Sequence, residues 1–286
     1  MTADEVADRW RSGNDRILPY VRVLSAVIVP FLVLAFVVLY VFPGETARLF
    51  AWPITSTMTS MTLASAYLGG VYFFVRVALR ERQWHVVRTG FAAVVLFATL
   101  LGIATLAHWP VFSHDKPAFW LWVVLYLTTP FLVAGGLITN QIRAGSGSDE
   151  EPLLSRAAAR AVGLIGLLAL VQGAALFAAP ALIIPFWPWP LTPLTARVIG
   201  AVFCLGCAGL WTWHDRRWSS LSLLIDVALL MIVAILAGAV RALDEFNPTH
   251  LLTWLLTAGF IAVLIGALRL RRLMRNQISV NPRMVR

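Results

Sequence analysis

The chain is short of charge, short of cysteine and nearly without lysine. Only 13% of its 286 residues are charged, while 59% are hydrophobic. A soluble domain stands near 25% and 45–50%, so the composition excludes an ordinary water-soluble fold. Two cysteines, Cys204 and Cys207, are too few for a disulfide-stapled scaffold. Their Cys-x-x-Cys spacing invites a redox reading, but they fall inside an apolar run, where a thiolate is disfavoured. Quinone-linked disulfide-forming membrane proteins pass electrons through further cysteines, and this chain has no third one. The pair reads as small packing residues. Motifs for P-loop nucleotide use, acyl transfer and zinc proteolysis are absent. One lysine stands against 22 arginines, a hint of a GC-rich bacterial genome.

What the sequence has in abundance is apolar length. Eight runs, at about 17–43, 54–79, 85–109, 118–142, 157–183, 194–214, 218–241 and 250–269, reach the roughly 20 residues that carry a helix across a bilayer core. They are continuous, without the alternation of a membrane barrel. The first is too long for a signal-peptide core and no small-residue cleavage site follows it, so it is expected to be retained.

The net charge of +9 would suit nucleic acid, but its placement does not. Nineteen of the 23 basic residues fall on one side of the eight-span arrangement, leaving Arg48, Lys116, Arg197 and Arg241 on the other. That bias predicts both termini in the cytoplasm. The tail "RLRRLMRNQ" is expected against anionic lipid headgroups. No nucleic-acid partner is expected.

An internal repeat organises the runs. Trp52-Pro53 matches Trp189-Pro190 at an offset of 137, and Trp84, Phe112 and Trp120 match Trp218, Phe246 and Trp254 at 134. The expected fold is an all-α membrane protein of eight transmembrane helices, built as two parallel four-helix repeats. Its divisions are a head (1–16), the first repeat (17–142), a flexible linker (143–156), the second repeat (157–269) and a basic tail (270–286). Each Trp-Pro phrase marks the outer interface at the start of a repeat's second helix. Tryptophan favours headgroup depth there and proline suits a first helical turn. Thr192 or Thr195 is the expected cap. A ligand-stacking role for Trp187 and Trp189 stays open.

Polar residues inside the spans give the candidate site. Asp226 lies eight residues past Trp218, about 12 Å into the membrane at 1.5 Å per residue. A carboxylate at that depth is a functional hypothesis by default; the plainer reading pairs it with a hydroxyl, Arg88 or Arg217. Gln172 reads as a helix–helix hydrogen bond. Toward the outer face, His108, Arg197, Arg241, Asp244 and His250 gather with Trp189 as candidate substrate-binding residues. The two arginines there either pair with Asp244 and Glu245 or receive an anionic headgroup or substrate. His108 and His250 are the one attractive outer pair for a haem, but no Cys-x-x-Cys-His or His-x-x-x-His spacing appears, and neither cofactor nor metal is expected. Small residues mark the second span (Thr55 to Gly70) and the sixth (Ala196, Gly200, Cys204, Ala208), the expected seam between repeats. A hydroxyl-lined path along the second span is the alternative.

The phrases "FAWPITSTMTS", "ATLAHWPVF", "LYLTTPF" and "WPWPLTPLTARV" resemble an uncharacterised family of multi-pass membrane proteins from actinobacteria and related bacteria. The resemblance implies a bacterial inner-membrane location and carries over no activity, cofactor or functional residue. Three function classes remain. The first is a small-molecule or lipid transporter or binding protein with an outer-facing site between the repeats. The second is an accessory subunit or scaffold of a membrane complex, as homo-oligomer or with another protein. The third, a lipid-active enzyme, ranks last because no catalytic pair is visible.

Overall fold

The computed structural model describes residues 15–144 and 151–280, with the side chains of 279 and 280 set aside. Most of the expected head, six residues of the linker and the last six of the tail lie outside that range. Among the described residues the chain is helical, with two isolated bridges and no strand. Eight helices are long and apolar enough to cross a membrane. They are α1 (Pro19–Phe36, continued by a π turn at Val37–Val41), α2 (Thr57–Leu79), α3 (Trp84–Ala107), α4 (Pro117–Arg143), α5 (Arg156–Ala178), α6 (Pro193–Cys204, whose span continues to Trp213), α7 (Trp218–Arg241) and α8 (Leu251–Val280). The expected positions agree closely, except that α8 runs well past residue 269 and takes up most of the expected tail.

Local chemistry sets the starts. Ser56 caps α2 through the Thr59 amide, and Thr192 caps α6 in a reciprocal pair with Thr195, with Pro193 at the first helical position. α6 does not continue unbroken. It stops at Cys204, turns through Leu205 and Gly206, and resumes at Cys207–Leu210 and Trp211–Trp213.

Four helices form the interior. α2 packs on α7 and α6 on α3, with lesser contacts of α2 with α6 and α3 with α7. Each interior helix carries one outer helix: α1 on α2, α4 on α3, α5 on α6 and α8 on α7. The small-residue stripe of α6 faces α5, which corrects its expected place against α2. A Cβ on Gly173 would lie 2.5 Å from the Gly200 carbonyl, and one on Gly166 equally close to that of Gly206. Glycine at these positions is what lets the two backbones touch. α2 meets α6, but its own glycines serve other neighbours, Gly69 facing Met231 of α7 and Gly70 facing Leu32 of α1.

The loops repeat one another. At the end rich in arginine, here the basic end, the Ile17 amide donates to Arg82 O and the Trp84 amide to Asp15 O. Leu154 to Arg216 and Trp218 to Pro152 make the corresponding bonds. At the opposite end the Ser113 amide reaches Ala51 O (2.9 Å) and the Asn247 amide reaches Pro188 O (2.8 Å). Trp52 meets Phe112 edge-on at 5.1 Å, and Trp189 meets Phe246 in the same way at 5.5 Å.

Candidate functional site

A cavity of about 550 Å³ lies within the basic half of the bundle and reaches past its middle. α7 from Leu221 to Ile235 and α8 from Phe260 to Leu273 form one wall, Gly166 of α5 and the broken stretch of α6 a second, and α2 from Thr62 to Phe74 with α3 from Gly90 to Phe97 a third. The lining is almost wholly apolar. α5 and α8 both border the cavity but barely pack together. Ile165 and Leu273, which face it from either side, are 42% and 61% exposed, so the cavity is open at its flank. The space between α1, α3 and α4 holds only about 120 Å³.

Asp226 sits between two residues of the cavity wall, Ile225 and Val227. The expected partners Arg88 and Arg217 are elsewhere, both bound to Asp215. Asp226 instead accepts from Arg271 of α8 at 2.7 Å and from the Tyr72 hydroxyl of α2 at 3.0 Å, with Arg76 at 3.8 Å. Arg76 also donates to Tyr72 and is ion-paired with Glu81. The carboxyl is therefore interior and compensated, as a charge in a membrane bundle must be, and it ties α8 to α2 and α7.

The other expected site residues lie at the opposite end, with Arg241 fifteen residues, or about 22 Å of helix, from Asp226. They do not form one site. Arg197 meets His108 Nε2 at 2.5 Å. Burial and then the neighbouring guanidinium lower the His108 pKa, so the ring accepts that bond as neutral imidazole. Arg241 donates to Tyr40 O (2.8 Å), His250 Nδ1 lies 2.8 Å from Trp187 O, and Asp244 has no hydrogen bond or ion pair with any described residue. The expected pairing of Arg197 and Arg241 with Asp244 and Glu245 is absent, because Glu245 has another task. Its carboxylate accepts from the Ser56 hydroxyl and from the Thr57 and Met58 amides, capping the positive end of α2. Trp187 and Trp189 are 2% and 4% exposed, and Trp189 donates to Thr59 at 3.0 Å. Both rings are packed inside the bundle, and the Trp187 indole N–H is buried without a partner among the described residues. Gln172 has no polar partner among the described residues.

Sequence reasoning passed over one cluster at the basic end. His85 Nδ1 is paired with Asp15, and its Nε2 lies 3.1 Å from both Ser219 Oγ and Glu151 Oε1. The order acid, imidazole, hydroxyl suggests a nucleophile, but the Ser219 hydroxyl donates to Glu151, and none of the four borders the cavity. The cluster is a clamp joining the segments before α1 and α5 to α3 and α7. The available signal was that His85 and Ser219 stand 134 residues apart, the repeat offset. Nearby, burial pushes the Asp215 carboxyl up, but hydrogen bonds from Arg217 outweigh it and hold the group at about 2.

No group of three or more potential metal ligands is gathered among the described residues. Comparison with protein-family models, curated proteins and solved structures finds no match to this chain. The class that fold and cavity define is a helical protein of the multi-pass membrane type.

Proposed function

We propose that this chain is a bacterial inner-membrane protein, made of two parallel four-helix copies, that binds and transports a lipid-like amphiphile. The observation that carries the reading is the apolar cavity with its open flank between α5 and α8. Its volume falls in the roughly 300–1,000 Å³ range of small-molecule sites. A space of that kind bordering hydrocarbon fills with chains rather than water, because its wall offers water almost no polar partners. The site is then this cavity in the basic half, lined by helices of both halves, in place of an outer-facing pocket.

The duplication is supported by the loop hydrogen bonds and aromatic pairs that recur at offsets of 134 and 137. The bias of 19 basic residues to one end supports cytoplasmic termini. The resemblance to an actinobacterial membrane family agrees with that location. A subunit role in a larger complex is the second reading, and α8, of which only 6% is buried, favours it.

The test is mass spectrometry of lipids and proteins retained through purification in mild detergent, with Gly266→Phe alongside. A Cβ at Gly266 meets nothing within 4 Å, and the residue lines the cavity, so a side chain added there starts into open space beside it. Retained amphiphile that falls sharply in the variant supports binding. No retained lipid, with a protein partner in stoichiometric amount, supports the subunit role.

A further inference from the structure

We infer that the amphiphile carries an anionic headgroup, a phosphate or carboxylate, received by Arg269 at the basic mouth of the cavity. This rests on the cavity reading above and adds the ligand's chemistry. Arg76 is ion-paired with Glu81, and Arg271 with Asp226. Arg269 is exposed, lines the cavity, and makes neither ion pair nor hydrogen bond with any described residue. Two acids thus compensate two arginines, and the third cation is left where a chain lying in the cavity would present its polar end.

Helix periodicity fixes that placement. Gly266, Leu270 and Leu273 share the cavity wall with Arg269, a spacing that puts all four on one face of α8. Arg272 does not border the cavity. The apolar wall cannot by itself select a ligand, since lipid tails are as apolar as leucine and the cavity gives a chain no hydrophobic advantage over the bilayer. Discrimination falls to the headgroup, and a guanidinium presents a planar donor fork to phosphate or carboxylate oxygens.

The experiment titrates the full-length protein in mixed micelles with radiolabelled phosphatidylglycerol, palmitate and phosphatidylcholine. The expected result is a preference of about fivefold for an anionic probe over phosphatidylcholine, the effect of about one arginine beside an anionic lipid. Whichever of phosphatidylglycerol and palmitate binds better identifies the source of the acid group. Arg269→Gln brings the ratio to about 1 with total retained lipid unchanged, and Arg272→Gln, the same charge removed beside the cavity, leaves the preference in place. Equal binding of all three probes, or a preference that survives Arg269→Gln, overturns the inference while the cavity reading stands. Lipid retention unaffected by Gly266→Phe sinks the cavity reading itself.

Discussion

α4 and α8 close the two halves of the chain and are held in very different ways. α4 is fastened along its length. Trp122 donates to Thr105 (2.8 Å), Tyr126 shares a buried hydrogen bond with Tyr67 (2.7 Å), Asn140 bridges the Leu18 amide and Arg16 O, and Gln141 accepts from Trp84. At the offset of 134 these positions in α8 are Leu256, Phe260, Met274 and Arg275, which hold no such bonds among the described residues. α8 has the Arg271–Asp226 pair instead, and at the same offset α4 and α3 have Leu137 and Ala92. Loss of four fastenings accompanies a space of about 550 Å³ instead of about 120 Å³. The helix that closes the first half is fastened and the one that closes the second is not, and the larger space, lined by both halves, opens beside the unfastened one.

The contrast is broken most strongly at Trp122. Trp122→Ala empties an aromatic cluster with Phe50, Trp52 and Phe112 and removes the indole N–H that donates to the buried Thr105 hydroxyl. It is expected to destabilise by about 3–5 kcal/mol, whereas Leu256→Ala in the loosely held α8 changes stability by under about 1 kcal/mol. Reversible unfolding in mixed micelles measures both, and equal losses would contradict the comparison.

A smaller effect is expected at Asp226. Asp226→Leu strands Arg271 and the Tyr72 hydroxyl, at a cost of about 1–3 kcal/mol, and hydrogen exchange should rise in α8 but not in α4. Asp226→Asn keeps the shape and one acceptor and should leave exchange nearly unchanged. If Asn stops transport of the amphiphile without altering exchange, the carboxylate has a part in the transport step beyond tying α8.

The smallest effect sharpens the comparison by repairing it. Trp189 finds Thr59, but the Trp52 indole N–H is buried without a partner. The counterpart of Thr59 at 137 is Ala196, which is fully buried. Ala196→Thr should therefore give Trp52 its acceptor and stabilise by about 0.5–1.5 kcal/mol. A destabilised variant would argue against the two-copy arrangement.

Much of this architecture was legible because its causes are local. Run length places eight helices, the Thr192-Pro193 pair signals the start of α6, and the depth of Asp226 follows from counting past Trp218. What was hidden depends on which helices become neighbours. α2 packs on α7 rather than on the next helix in sequence, so the partners of Asp226 come from α2 and α8, and Arg88 and Arg217 were the wrong guesses. Glu245 looked like a mate for outer arginines because its neighbour, the N-terminus of α2, lies far away in sequence. The cavity was illegible for a simpler reason: a void is made by side chains that fail to meet.

The cap that Glu245 places on α2 has a consequence for biosynthesis. Ser56 and Glu245 are 189 residues apart, so the first turn of α2 enters the membrane long before its carboxylate has left the ribosome. Through most of translation only the Ser56 hydroxyl caps that helix, and the Thr57 and Met58 amides wait for the loop before α8. The last quarter of the polypeptide thus completes a joint begun in the first.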